Sequence, residues 1–111
     1  FSVLSGDDGI TVPLISVGVD GVISVVANAF PKKFSAMVQE ARQGNFEVAK
    51  KLHYDLLPST NQFFAEGNPG GVKISLSEQK IMKPTMRPPL YPVSDKLEQQ
   101  IRLETQRVLR A

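Results

Sequence analysis

Few residues in this sequence combine types and spacings that could do chemistry. Ser5-Gly6-Asp7-Asp8 is the first candidate, placing a hydroxyl, a glycine and two carboxylates in a row after an apolar run. Paired carboxylates could ligate a metal ion or share a proton. Neighbours on an extended chain, however, point to opposite faces and are badly placed for either task. An oxygen-rich cation site would also need several more ligands. Asp8 is therefore expected to cap the helix that follows, while Gly6, at a strand end, would let a ligand approach the backbone closely. The single His53 has no partner at a catalytic-dyad spacing and reads as a packed or half-exposed structural residue. Asn68-Pro69-Gly70-Gly71-Val72-Lys73 resembles a phosphate loop only superficially, because the Gly-Lys-Ser/Thr junction is missing. Ile23, taken alone, is a buried strand residue.

These groups must be held by the elements around them. Phe1–Leu4 and Val22–Val26 are short, apolar and rich in β-branched residues, the composition of buried strands. Between them, Ile10–Val17 predicts a brief helix, so residues 1–28 read as one βαβ unit. Strands apolar on both sides imply a parallel sheet covered on both faces, which two strands alone cannot make. The chain is expected to belong to something larger, and its apolar, Met-less start is expected to mark a fragment. In βα-repeat folds the carboxyl ends of the strands carry ligands and catalysis. Ser5–Asp8 lies at such an end.

Ala29-Phe30-Pro31 turns the chain out of the sheet. Phe34, Met37, Val38 and Ala41 then follow the spacing of an amphipathic helix stopped by Gly44. Asn45 is expected to cap the next helix, in which Phe46, Ala49, His53 and Leu56 share a face broadened by Val48 and Leu52. Pro58 is expected to kink or end it before Phe63-Phe64, a pair read as core anchors. Gly67–Gly71 breaks the chain before a helix-compatible run from Val72 to about Met82. Pro84, Pro88, Pro89 and Pro92 make residues 83–93 an irregular connection. Ser94 caps a last helix, Asp95–Arg110, with Leu97, Ile101 and Val108 on one face and charges arranged to suit the helix dipole.

Composition removes several function classes. The formal net charge is +2 over 111 residues, with 13 basic and 11 acidic side chains intermixed. That is not the clustered basic face of a nucleic-acid binder, so no nucleic-acid partner is expected. With no cysteine, disulfides and thiolate chemistry are out, which fits a reducing cytoplasm. No apolar run approaches the ~20 residues of a membrane span, and no basic-then-apolar leader is present, so no membrane partner is expected either.

Four separated blocks, LSGDD (4–8), GVISVVAN (21–28), FFAEGNPGGVK (63–73) and RPPLYPVS (87–94), resemble the C-terminal part of the dihydrodipicolinate synthase family. These are pyruvate-dependent class I aldolase-type lyases of the N-acetylneuraminate lyase superfamily, built on a TIM barrel. The resemblance runs through essentially the whole chain in matching order. Gly71 departs from a common proline of the family, and Pro88 from an aliphatic residue.

The resemblance implies an α/β fold. Since a (β/α)8 barrel needs roughly 250 residues, 1–44 would be its last βαβα portion, the final two strands and helices, and 45–111 a C-terminal helical domain. It also implies that the backbone carbonyl of Ile23 contacts bound pyruvate, with Gly6 and Asp7 shaping the neighbouring wall. The role of Asn28 stays open. No metal or separate cofactor is implied. Pyruvate would be held as an imine on a lysine of the sixth barrel strand, upstream of Phe1. A lysine of that kind is activated by desolvation or nearby positive charge. Lys32, Lys33, Lys50, Lys51, Lys73, Lys80, Lys83 and Lys96 all fall in loops or helices, and Tyr54 and Tyr91 do not stand in for the family's proton-relay tyrosine. The implied reaction joins pyruvate to aspartate semialdehyde in lysine and diaminopimelate biosynthesis, in a cytoplasmic homotetramer. This chain alone would be inactive. Two other readings are another pyruvate lyase such as an N-acetylneuraminate lyase, and a non-catalytic helical interaction module.

Overall fold

The computed structural model describes residues 1–111. Its only sheet is a parallel pair, β1 (Leu4–Ser5) and β2 (Gly21–Val22), in the register Leu4 to Gly21 and Ser5 to Val22. Backbone bonds from Asp20 N to the Val3 carbonyl and from Ile23 N to the Ser5 carbonyl extend the pairing by one step at each end. The pair thus starts later than the expected Phe1–Leu4 and stops earlier than the expected Val22–Val26. The crossover is a 3-10 turn, Asp8–Ile10, running into helix α1 (Thr11–Ser16).

The larger correction lies in SVVAN. Val26–Ala29 is a short helix, α2, and not the end of a strand. β-branched residues favour strands only weakly when other groups satisfy the backbone differently. Here Ser24 Oγ accepts from Ala27 N at 2.9 Å, and Asp8 supplies a second acceptor from far upstream. Val3, Leu4 and Ile23 are exposed, in line with two strands being too few to make a sheet covered on both faces.

Helix α3 (Pro31–Arg42) begins with proline in its first turn, where the missing N–H costs nothing. It buries Phe34, Met37 and Ala41, the expected stripe, and the chain leaves it through Gly44 at φ +81°. Asn45 donates its side-chain amide to Glu40 Oε2 at 2.8 Å, while its carbonyl accepts from Ala49 N. Helix α4 (Phe46–Ala65) runs through Pro58, so of the expected kink or end, the end does not occur. A proline inside a helix removes one backbone bond and crowds the preceding turn, and here the helix carries on past it for nearly two turns. Of the two phenylalanines, Phe63 is 1 % exposed and Phe64 44 %. Consecutive helical residues diverge by about 100°, so only one of them anchors the core.

Two compact units divide inside α4, Phe1–Leu57 and Pro58–Ala111. In the first, Ile15, Ala41 and Ala49 form a small apolar cluster joined by Val12 and Val38, and Lys33 pairs with Asp55 at 2.8 Å.

The second unit is helical. Helix α5 (Gly70–Glu78) starts earlier and stops earlier than expected, with the chain turning at Lys80, φ +60°. Its first turn fits because Gly71 has no side chain. A Cβ there would sit 2.8 Å from Phe63 Cα and 3.0 Å from the Phe63 carbonyl oxygen. Helix α6 (Asp95–Arg110) is capped by Ser94 Oγ, which accepts from Leu97 N, and it buries Leu97, Ile101, Thr105 and Val108. Thr105 Oγ1 donates to Ser75 Oγ at 2.8 Å, joining α6 to α5 through buried hydroxyls. Arg102 bridges Glu98 and Glu78, and Gln106 completes Glu78 at 2.7 Å.

Candidate functional site

The end of β1 is a web of short polar bonds. Ser5 Oγ donates to the Asp7 carbonyl at 3.0 Å and accepts from Asp7 N at 3.1 Å. Thr11 Oγ1, fully buried, lies 2.8 Å from the same carbonyl and 3.2 Å from Ser5 Oγ. Asp7 adopts an extended backbone, and its Oδ1 accepts from Gly9 N at 2.9 Å, capping the 3-10 turn. A β-region residue with a short acceptor side chain is well suited to that task.

The cap expected of Asp8 is supplied by its neighbour. Asp7 caps the local turn, and Asp8 does not. Asp8 is 4 % exposed, and its Oδ2 accepts from Val25 N at 3.0 Å and Val26 N at 3.1 Å. Its Oδ1 is buried with no hydrogen-bond partner. Nothing local in the sequence signals this clamp, because 17 residues separate Asp8 from Val25. Ser24 does carry a local sign, since a serine four residues before Asn28, both of them capping types, marks the place where a helix can begin.

The expected site residues fall around this web. Ile23 N donates to the Ser5 carbonyl at 3.0 Å, so Ile23 sits beside the strand end that leads into Gly6. Its side chain is 73 % exposed, where sequence alone placed it in a core. Gly6 has open space in the direction a Cβ would take. Asp7 is exposed but its carboxylate is turned onto its own turn. Asn28 donates its amide to the Ser24 and Val25 carbonyls.

None of the lysines lies on a strand. Lys32 and Lys33 are on α3, Lys50 and Lys51 on α4, Lys73 on α5, Lys96 on α6, and Lys80 and Lys83 follow α5. Lys73 Nζ donates to the Thr85 carbonyl at 2.8 Å, which fastens the proline-rich segment and leaves no phosphate-binding role to argue. His53 is half-buried, its ring edge-on to Tyr54 at 5.1 Å, and burial lowers its pKa below the ordinary value. Tyr54 and Tyr91 are exposed on a helix and in the proline-rich segment. Carboxylates of the second unit serve structure. Hydrogen bonds from the Ser94 hydroxyl and amide hold Glu66 below the usual carboxylate range, and those from Gln106 and Arg102 do the same for Glu78. A groove of about 380 Å³ beside Leu4, Val22, Phe34 and Val38, and another of about 300 Å³ beside Ile74, Met86, Leu90 and Val93, include neither Gly6, Asp7 nor Ile23.

The model of the Dihydrodipicolinate synthetase family matches residues 1–108. Among curated relatives, the 4-hydroxy-tetrahydrodipicolinate synthase of Phocaeicola vulgatus is 47% identical over 92 residues, 83% of this chain and 31% of the relative. The same enzyme of Methanosarcina mazei is 46% identical over 95 residues, 86% of this chain and 33% of the relative. The chain thus spans about a third of the length of the relatives it matches. In structure it is similar to the dihydrodipicolinate synthase of Thermotoga maritima, with TM-score 0.94, 35% identity, and coverage of 100% of this chain and 38% of that one. The Aquifex aeolicus enzyme gives TM-score 0.92 at 34% identity, covering 96% of this chain and 36% of that one. With the match running from the first strand to the last helix, the chain belongs to the dihydrodipicolinate synthetase family.

Proposed function

We propose that this chain is the C-terminal part of a pyruvate-dependent Schiff-base lyase of the 4-hydroxy-tetrahydrodipicolinate synthase type. In this reading residues 1–44 are the last quarter of a TIM barrel, and 45–111 are a helical tail. The nucleophile is a lysine outside the chain. Its free amine adds to the keto carbon of pyruvate and water leaves, giving an imine. Loss of a methyl proton gives the enamine, whose carbon bonds to the aldehyde carbon of aspartate semialdehyde. Cyclisation and transimination release the product and restore the amine.

The chain's own contribution is the wall of the keto-acid pocket. The carbonyl of Ile23 faces the bound acid, and Gly6 and Asp7 shape the side next to it. The whole enzyme is a cytoplasmic homotetramer that needs no cofactor beyond the covalent imine.

The observation that carries this reading is the family match over residues 1–108 in a chain with no lysine on either strand. Borohydride reduction in the presence of pyruvate tests it. The chain alone should gain no mass, while the whole enzyme should gain one reduced pyruvate adduct and consume aspartate semialdehyde in preference to N-acetylneuraminate. Labelling of the chain alone, or turnover of the sugar acid only, overturns it.

A further inference from the structure

Asp8 is the one buried carboxylate of the chain, and it sits between the two strand ends without serving the turn it belongs to. Its Oδ2 takes two backbone N–H groups, Val25 at 3.0 Å and Val26 at 3.1 Å, just beyond Ile23. On the other side Ile23 is tied to the Ser5 carbonyl at 3.0 Å, and Ser5 is tied through its hydroxyl to Asp7. The peptide that carries the Ile23 carbonyl is therefore held from both directions, by β1 before it and by Asp8 after it. That carbonyl accepts no hydrogen bond within the chain.

We infer that Asp8 is a positioning residue for keto-acid binding: its carboxylate clamps the start of α2 and thereby aims the Ile23 carbonyl. This rests on the reading of the keto-acid pocket given above. Asp8 touches no substrate. A carboxylate suits the task because a single oxygen with two lone pairs can accept both N–H groups at once. Without the clamp, Val26 N becomes a buried donor and Val25 N a part-buried one, neither with a partner, and the turn shifts to find water.

The orphaned Oδ1 sets the terms of the test. Asparagine at this position can turn its carbonyl oxygen onto Val25 and Val26 and place its amide where Oδ1 stood, because no donor occupies that place. Asp8→Asn should keep the clamp and lose the charge, whereas Asp8→Ala and Asp8→Ser lose the clamp. In the whole enzyme carrying this chain, Asp8→Ala and Asp8→Ser should raise the KM for pyruvate about tenfold, the scale of one buried hydrogen bond. The concentration of pyruvate giving half-maximal borohydride trapping should rise by the same factor, with the KM for the aldehyde unchanged. Asp8→Asn should stay within about threefold of the parent on both pyruvate measures.

A lower melting temperature in Asp8→Ala with an unmoved KM for pyruvate would leave Asp8 a purely structural residue and overturn the inference. So would a tenfold rise in Asp8→Asn, which can be read even if the other two variants fail to fold. If the parent enzyme itself is not trapped by borohydride with pyruvate, it is the family reaction that fails, and not the clamp.

Discussion

The two compact units of this chain put their buried polar groups to different uses. In the first, residues 1–57, buried polar groups such as Ser5, Asp8 and Thr11 are devoted to shaping loops at the strand ends, and large apolar side chains such as Leu4 and Ile23 stay exposed. In the second, residues 58–111, polar groups cross-link helices, as Thr105 does with Ser75 and Arg102 with Glu78, around buried Phe63, Ile101 and Val108, while Leu103 and Leu109 stay exposed. On the proposed reading, the loops held in this way line a pocket, and the apolar side chains exposed at the strands are those that the rest of a barrel covers.

That contrast can be broken most forcefully at the two exposed and buried extremes. Phe63→Ala should cost about 3–5 kcal/mol in urea unfolding, because a fully buried ring leaves a cavity. Ile23→Ala should stay within about 0.5 kcal/mol, the range of a surface substitution. Equal losses would mean that the first unit hides a core at Ile23.

Glycine substitutions sharpen the comparison at smaller scale. Gly71→Ala drives a Cβ against the Phe63 backbone, which cannot swing aside as a side chain would. It should cost about 1–3 kcal/mol by thermal unfolding. Gly6→Ala meets nothing within 4 Å and has an ordinary backbone, so its stability should move by no more than about 0.5 kcal/mol. Its effect, if Gly6 lines the pocket, should appear in pyruvate binding instead. A stability loss at Gly6 as large as that at Gly71 would erase the distinction.

The smallest effect is electrostatic. Burial lowers the His53 pKa, so the folded chain resists the proton that the unfolded chain accepts. The stability that this contributes is present above the ordinary value of 6.5 and is lost as pH falls below it. A urea titration should show a shallow decline from pH 7 to pH 5, and His53→Gln should flatten it. A slope of the opposite sign would place an acidic partner beside the ring.

Local signals in the sequence were read well where the answer lay within one or two turns. The α3 stripe, the Gly44 exit and the Ser94 cap each depend on neighbours a few residues apart. Pro58 left a kink and an end both open, because a helix can absorb one lost backbone bond when its flanks are packed, and flanking packing is invisible to a local reading. Phe63 and Phe64 looked alike because the residues are alike, and only the direction in which each leaves the helix separates them. The segment Ser24–Ala29 misled more deeply, since its β-branched residues promised a strand. What turned it into a helix start was Ser24 close by and Asp8 from the other side of the crossover.

By itself, the order of residues determined the family, the parallel pairing of two apolar runs, and which helices carry an apolar stripe. Those follow from side-chain periodicity and capping, which act over short stretches of chain. Tertiary structure alone decided which aspartate caps and which clamps, because Val25 and Val26 reach Asp8 only after β1 and β2 have paired. A carboxylate's role is set by the donors that arrive beside it, and those donors come from a part of the chain that its own neighbours do not encode.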